Sequence, residues 1–377
     1  MKIVIVTEVF LPTIDGLVLR LSEAIKHFCK EGHEVLVITG KRSVAQFQNV
    51  PVYSVAEMQL PFGKKLIRTP SNNKMNGILS IFAPQVIHVV NPAGVGTAAI
   101  NCAKQLDIPY IVSFHTNYEN MLKQTHFNYK FIEKKIWANR KVLADGAAMV
   151  LTTSNMMRKT LAAHGIEGAH VLKRGVDLEK RRPDYRSKEM RTILCKGETD
   201  KKLLVYIGGL SEIKNLEALV PMMRRRDDVC LAIVGDGEYK EALENAFRGT
   251  RTVFTGYLRD KDLSEAYATA DAFIFPSLKE HVGLTLLEAM ASGVPIIAAY
   301  STLTKEQLHD DIDCMLYPSG DEKALDAAID RLNDKESLKK MRLIALREAH
   351  GSSWENASQQ LLDYYSIVKT RATKFNQ

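Results

Sequence analysis

Short runs of consecutive Val, Ile and Leu alternate along the chain with longer stretches whose apolar residues recur at helical spacing. In the first half the runs are Lys2–Thr7, Glu34–Thr39, Val86–Val90, Ile108–Phe114 and Ala147–Thr152. The second half has Leu203–Gly208, Val229–Gly235, Thr252–Gly256, Ala272–Pro276 and Pro295–Ala299. Runs of this length without polar alternation fit strands buried on both faces, and their alternation with helices predicts two parallel-sheet α/β domains. Between the first two runs, Leu17, Leu21, Ile25 and Phe28 share one helical face, and Gly32 supplies a C-cap before the strand at Glu34, which makes a βαβ start. Residues 178–202 are charged and show no apolar face, so the linker is placed there, after a first domain over 1–177 and before a second over 203–353. Trp354–Lys369 has a helical pattern and stands apart from the strands of the second half.

A length of 377 residues agrees with two domains, and 46% hydrophobic with 25% charged residues excludes disorder, collagen-like repeats and coiled coil. No apolar run approaches the ~18 residues of a membrane span, so the expected location is cytoplasmic. Five cysteines are spread singly, without a CxxC pair or a zinc spacing, which predicts reduced, partly buried thiols. The net charge of +7 is uneven: residues 1–177 hold 21 Lys and Arg against 12 Asp and Glu, and the remainder is slightly acidic. Such a field suits nucleic acid, a phosphorylated ligand or an anionic membrane surface, or serves solubility alone. Nucleic acid is set aside, since neither aromatic-basic repeats nor a helix-turn-helix pattern occurs.

Every candidate for chemistry follows a predicted strand, where open parallel sheets bind their ligands. Pro12-Thr13-Ile14-Asp15-Gly16 is a turn in which Gly16 lets backbone N–H groups approach a phosphate or sugar at a helix N-terminus. In Ser113-Phe114-His115-Thr116-Asn117, His115 leaves a strand end, where an imidazole can bond a hydroxyl or act as acid or base. Gly208-Gly209-Leu210-Ser211-Glu212-Ile213-Lys214 brings glycine backbone and a lysine to one turn, suited to a diphosphate leaving group, although it is no Walker A loop. The strongest stretch runs from Pro276 to Pro295: Glu280 in a loop and Glu288 inside the following helix are placed to grip two parts of an extended ligand as hydroxyl acceptors. Asp311-Ile312-Asp313 has the form of a metal-binding DxD but lies in a polar stretch away from a central strand end, and no metal is expected.

Together with Ala163-His164-Gly165-Ile166, Arg174-Gly175-Val176-Asp177, Val234-Gly235-Asp236-Gly237, Val253-Phe254-Thr255-Gly256 and the E-x7-E of the Glu280–Glu288 stretch, these motifs resemble the family 4 retaining glycosyltransferases of the GT-B fold. The branch most similar is that of the sulfoquinovosyl diacylglycerol synthases. The resemblance implies two Rossmann-like domains facing a deep cleft, with the helix of 354–377 crossing back to the first domain and the second binding a nucleotide-sugar. It implies Glu280 on the sugar hydroxyls, Glu288 on the ribose, Lys214 on the diphosphate and His115 near the sugar's 6-position. Gly16, Gly209, Tyr257, Leu258 and Leu284 join the donor contacts, Tyr257 and Leu258 beside the base. It further implies a retaining, metal-independent hexosyl transfer without a cofactor, with a UDP-sugar favoured over a GDP-sugar.

Two departures stand against the family pattern. An arginine expected in the diphosphate turn is Gly209 here, a loss that ordinarily costs ~10² to 10³ in rate, and Arg174 and Arg259 are the nearest candidates to replace it. A glycine pair after Ala299 is replaced by the stretch around Thr302 and Leu303. For the acceptor, residues 127–141 combine aromatics with cations, and Lys130, Phe131, Lys134, Lys135 and Trp137 are the candidates to meet an anionic membrane face, the alternative being a helix that docks on its own domain. The reading is thus transfer of a hexose-like sugar to a lipid. Its alternatives are a soluble sugar or polysaccharide acceptor, and a catalytically degraded protein that binds a partner.

Overall fold

The computed structural model describes all residues except 14, 42, 55, 56, 60–64, 68–71, 116–128, 281, 376 and 377. The chain forms two compact units, Met1–Lys173 with Trp354–Gln377, and Arg174–Ser353.

The first unit contains β1 (Lys2–Thr7), α1 (Gly16–Lys30), β2 (Glu34–Thr39), β3 (Gln46–Phe47), β4 (Val50–Ser54), β5 (Glu57–Gln59), β6 (Lys65–Ile67), α2 (Asn72–Phe82), β7 (Val86–Val90), α3 (Gly94–Gln105), β8 (Tyr110–Phe114), α4 (Tyr129–Asp145), β9 (Met149–Thr152), α5 (Asn155–Ala163) and β10 (His170–Val171). Its sheet runs β10-β9-β8-β7-β1-β2-β4-β3 and is parallel except for the β3–β4 pair; β5 and β6 form a separate antiparallel pair. The apolar runs behave as their lack of alternation predicts. In β1, Val4 and Val6 enter the core on one face of the sheet and Ile3 and Ile5 the core on the other, all fully buried. Each such side chain contributes about 1.5–3 kcal/mol.

Asp15 caps α1 by accepting the Val18 N–H at 2.7 Å, worth ~1 kcal/mol. The apolar face of α1 (Val18, Leu21, Ile25, Phe28) shares one core with β1 and β2 and with Leu361, Leu362 and Tyr365 of the final helix, α14 (Trp354–Phe375), which belongs to this unit. Phe28 meets Tyr365 edge to face at 5.5 Å between centroids, and His27 bonds Gln359 at 3.0 Å.

In α4, Trp137 is only 5% exposed and stacks on His164 with centroids 4.1 Å apart. It is therefore a core residue and not the surface contact its sequence neighbours suggest: an indole gains more from packing on its own domain than a short stretch of lysines reveals. Lys134 and Lys135 are exposed, and the side chains of Lys130 and Phe131 lie outside the described residues.

The second unit contains α6 (Lys188–Leu194), β11 (Lys202–Ile207), α7 (Val220–Arg225), β12 (Val229–Val234), α8 (Lys240–Ala246), β13 (Thr252–Gly256), α9 (Asp260–Thr269), β14 (Ala272–Phe275), α10 (Leu284–Ala291), β15 (Ile296–Ala299), α11 (Thr302–Gln307), β16 (Met315–Tyr317), α12 (Glu322–Asp330) and α13 (Lys335–His350). Its sheet is parallel throughout in the order β13-β12-β11-β14-β15-β16, again with a core on each face. The expected linker over 178–202 is corrected here. Ser187 caps α6 through the Met190 N–H at 3.1 Å, and Met190, Leu194 and Cys195 enter the unit's core. Two apolar positions four apart suffice to seat so short a helix, and the surrounding charges conceal them.

All five cysteines are free, four of them buried. Among the described residues no helix is long and apolar enough to cross a membrane.

Candidate active site

In the second sheet the chain leaves β11 toward β12 on one side, and β14 leads to β15 on the other, so the strand order reverses between β11 and β14. The loops at the carboxyl ends of these two strands flank the place where an open parallel sheet holds its ligand. After β11 the chain turns at Gly208 and Gly209 into a short 3-10 turn, Glu212–Lys214. The loop after β12 lies directly on this turn: a Cβ on Gly235, whose φ is +136°, would fall 1.9 Å from the Gly208 carbonyl oxygen, and one on Gly237 would fall 2.1 Å from that of Leu210. Glycine is required there because two backbones touch. Asn215, at φ 56°, ends the turn and donates from Nδ2 to the Pro276 carbonyl at 3.2 Å, while Ser277 Oγ donates to the Lys214 carbonyl at 3.3 Å. The loops after β11 and β14 are thereby tied together, and Lys214 Nζ forms an ion pair with Glu280 Oε2, both side chains about a fifth to a quarter exposed.

Glu288 sits in α10 with its carboxylate already oriented. Tyr267 donates its hydroxyl to Oε2 at 2.8 Å, and Arg181 Nε approaches Oε1 at 3.3 Å. Arg181 also donates to Ser264 Oγ at 2.9 Å and lies 5.3 Å over the Tyr267 ring. Burial, and then the negative charge of Glu288, holds the Tyr267 hydroxyl well above its ordinary pKa, so it remains a donor.

Arg174, expected as a spare phosphate cation, is committed elsewhere. It donates to the Gly283 carbonyl at 3.4 Å and to the Gln307 side chain, whose Nε2 in turn donates to the Val282 carbonyl at 3.0 Å. These bonds pin the loop that enters α10, where Gly283 has φ +66°. Burial draws Arg174 down to about 10, with Glu306 opposing. Arg259 is exposed at the N-cap of α9, Tyr257 is 68% exposed, Leu258 packs against the core and Leu284 opens α10. His281 lies outside the described residues.

Both departures from the family pattern acquire a physical form. A Cβ on Gly209 would meet nothing within 4 Å, so the turn has room for a side chain it does not carry. The stretch after Ala299 is the capped helix α11, in which Ser301 Oγ accepts the Thr304 N–H at 3.1 Å and Thr304 Oγ1 accepts the Ser301 N–H at 2.8 Å. Leu303 is 1% exposed in the core. The aspartates of the DxD-like stretch are likewise engaged: Asp311 pairs with Arg331, and Asp313 accepts from the His309 main chain at 2.8 Å.

In the first unit, Gly16 is the exposed first residue of α1. His115 follows β8; its N–H donates to Asn91 Oδ1 at 2.7 Å, and its Nε2 bonds Ser113 Oγ at 2.8 Å. Desolvation first, and then Arg20 and His88, lower its pKa well below the ordinary value. Thr116 and Asn117 lie outside the described residues, as do Ile14, Phe127 and Asn128. The strand order of this sheet reverses between β1 and β7, and there Glu8 accepts the Val95 N–H at 3.1 Å and the Gly96 N–H at 3.3 Å.

Glu8, Arg181 and Tyr267 were not singled out by the sequence. Glu8, a carboxylate directly after the first strand, carried a usable signal; Arg181 was hidden in a run of charges.

The sequence and fold match known proteins throughout. Residues 14–180 match the model for Glycosyltransferase Family 4, and residues 195–346 that for Glycosyl transferases group 1. Sulfoquinovosyl transferase SQD2 of Arabidopsis thaliana is 30% identical over 92% of this chain and 70% of its own. A GDP-mannose-dependent alpha-mannosyltransferase of Mycolicibacterium smegmatis is 30% identical over 98% of both chains. An alpha-monoglucosyldiacylglycerol synthase of Streptococcus pneumoniae is 24% identical over 84% of this chain and 75% of that one. In fold, the crystal structure of Anabaena Alr3699/HepE in complex with UDP superposes with a TM-score of 0.78 at 18% identity, over 97% of this chain and all of that one. The chain belongs to the family 4 glycosyltransferases of the GT-B fold.

Proposed function

We propose that this glycosyltransferase moves a hexose-like sugar from a nucleoside diphosphate to a lipid acceptor with retention of anomeric configuration. The observation that carries the reading is the Lys214–Glu280 pair at the strand-order reversal of the second sheet. It sets a cation for a diphosphate beside a carboxylate that accepts from sugar hydroxyls, and Glu288 supplies a second, pre-oriented acceptor for a ribose. In this reading Lys214 and the backbone around Gly209 stabilise the charge developing on the leaving diphosphate. The departing phosphate oxygen takes the proton of the acceptor hydroxyl as that hydroxyl attacks from the same face. His115 serves the 6-position, and Tyr257 and Leu258 border the base.

The lipid assignment is supported by exposed Lys134 and Lys135 and by similarity to a monoglucosyldiacylglycerol synthase. Helix α11, filling the place of the family's glycine pair, supports a donor pocket shaped for a sugar other than sulfoquinovose. A thermal-shift screen of UDP- and GDP-sugars tests the donor. One base stabilises the protein at millimolar concentration if the reading is right, and none does if the fold is a degraded binding protein. Sedimentation with anionic vesicles tests the acceptor side: K134E/K135E weakens binding about tenfold or more, at ~1 kcal/mol per charge.

A further inference from the structure

Behind His115 a line of hydrogen bonds runs through the first unit to its last helix. His115 Nε2 bonds Ser113 Oγ at 2.8 Å, Ser113 Oγ bonds His88 Nε2 at 2.8 Å, and His88 Nδ1 bonds Tyr365 Oη at 2.7 Å. Tyr365 and Ser113 are fully buried and His88 is 1% exposed. The line thus joins the strand end at His115 to the final helix, its last bond linking His88 in β7 to a tyrosine 277 residues further along the chain.

Only one direction places every hydrogen. The Tyr365 hydroxyl has no other acceptor among the described residues, so it donates to His88 Nδ1 or is buried unsatisfied. Burial holds His88 neutral, with its pKa pushed down to about 3, so an Nδ1 that accepts leaves the ring hydrogen on Nε2. His88 Nε2–H then donates to Ser113 Oγ, and Ser113 donates its own hydrogen to His115 Nε2. That leaves the hydrogen of neutral His115 on Nδ1, which has no partner among the described residues. The reverse direction requires Nε2–H on His115 and ends on a buried tyrosine hydroxyl with nothing to receive its hydrogen.

We propose that Tyr365, His88 and Ser113 are positioning residues that fix His115 as its Nδ1–H tautomer, so that the imidazole is presented to the sugar as a hydrogen-bond donor. This rests on the reading of His115 as a sugar contact. With Nε2 occupied by Ser113, His115 binds a sugar oxygen and does not accept a proton from the acceptor hydroxyl. The final helix gains a role beyond packing, because its tyrosine sets which imidazole nitrogen carries the hydrogen.

Long-range proton–nitrogen spectra of protein labelled with 15N-histidine read the tautomers directly, with H88Q and H115Q assigning the resonances. The expected result is His88 protonated on Nε2 and His115 on Nδ1 in the unliganded protein. Y365F removes one oxygen and keeps the ring against Phe28 and His88. It converts His115 to a tautomer mixture and lowers kcat about tenfold with little change in donor KM, as when one ordinary hydrogen bond ceases to act in the transition state. S113A, cutting the line beside His115, does the same independently of the helix. Nε2-protonated His115 in the wild type, or tautomer and kcat unchanged in both variants, overturns the proposal. Should the tautomers come out as stated while H115Q and Y365F both transfer sugar at the full rate, the bonding line stands and the assignment of His115 to the sugar falls.

Discussion

Lys214 and Glu280 are ion-paired across two loops that the sheet itself brings together, one after β11 and one after β14. The ammonium is therefore held by a carboxylate before any phosphate arrives. A diphosphate without a sugar competes with Glu280 for Lys214 and leaves that carboxylate facing the anion; a full nucleotide-sugar gives it hydroxyls to accept from. E280Q should thus strengthen binding of the bare nucleoside diphosphate about threefold, in keeping with the modest worth of a partly exposed pair, while weakening the intact nucleotide-sugar. Calorimetric titration of the two ligands checks the opposite signs; a change in the same direction for both contradicts this division of labour.

Gly209 and Gly235 differ in what surrounds them, and substitutions should separate accordingly. The open space at Gly209 lets G209R fold with its melting temperature little altered and bind the nucleoside diphosphate about tenfold more tightly through the added cation. G235A drives a methyl into the Gly208 carbonyl at a φ of +136° and should destabilise by about 2 kcal/mol or more. Melting temperature and nucleotide affinity of the two variants test both statements.

Stability should fall on mild acidification through His88. Its folded pKa, about 3, lies below the ordinary 6.5, so between these values the unfolded chain binds a proton that the folded chain refuses. Stability from this group is complete above pH 6.5 and is lost as pH falls, by about 2 kcal/mol at pH 5. His115 adds to the loss in the same direction. Urea titrations at pH 7 and pH 5 should show this decrement, and H88Q should show a smaller one.

Much of the architecture was legible because buried parallel strands are apolar on both faces. Lys2–Thr7, Glu34–Thr39, Val86–Val90 and Thr252–Gly256 have the bounds that the apolar runs give them. The short strands β3, β10 and β16 escaped, since two or three residues at a sheet edge carry no period. Segment 178–202 was misread for a related reason: Met190 and Leu194 are a small signal among charges, and Arg181, which orients Glu288, was concealed with them. Lys214 and Glu280 were legible separately, each from its position after a strand, but their ion pair was not, because it joins loops 66 residues apart. His88 and Tyr365 lie 277 residues apart, and no local pattern connects a buried strand histidine to a tyrosine on the last helix.

The central claim, that Lys214, Glu280 and Glu288 hold an activated sugar for transfer, is tested most directly by turnover. Purified protein is incubated with the stabilising nucleotide-sugar and diacylglycerol in anionic vesicles, and the glycolipid is quantified and its anomeric configuration read by NMR. The account predicts a glycolipid of the donor's configuration, with the rate falling ~10² to 10³ in K214M and E280Q. Inverted product, or variants as fast as the wild type, would contradict it.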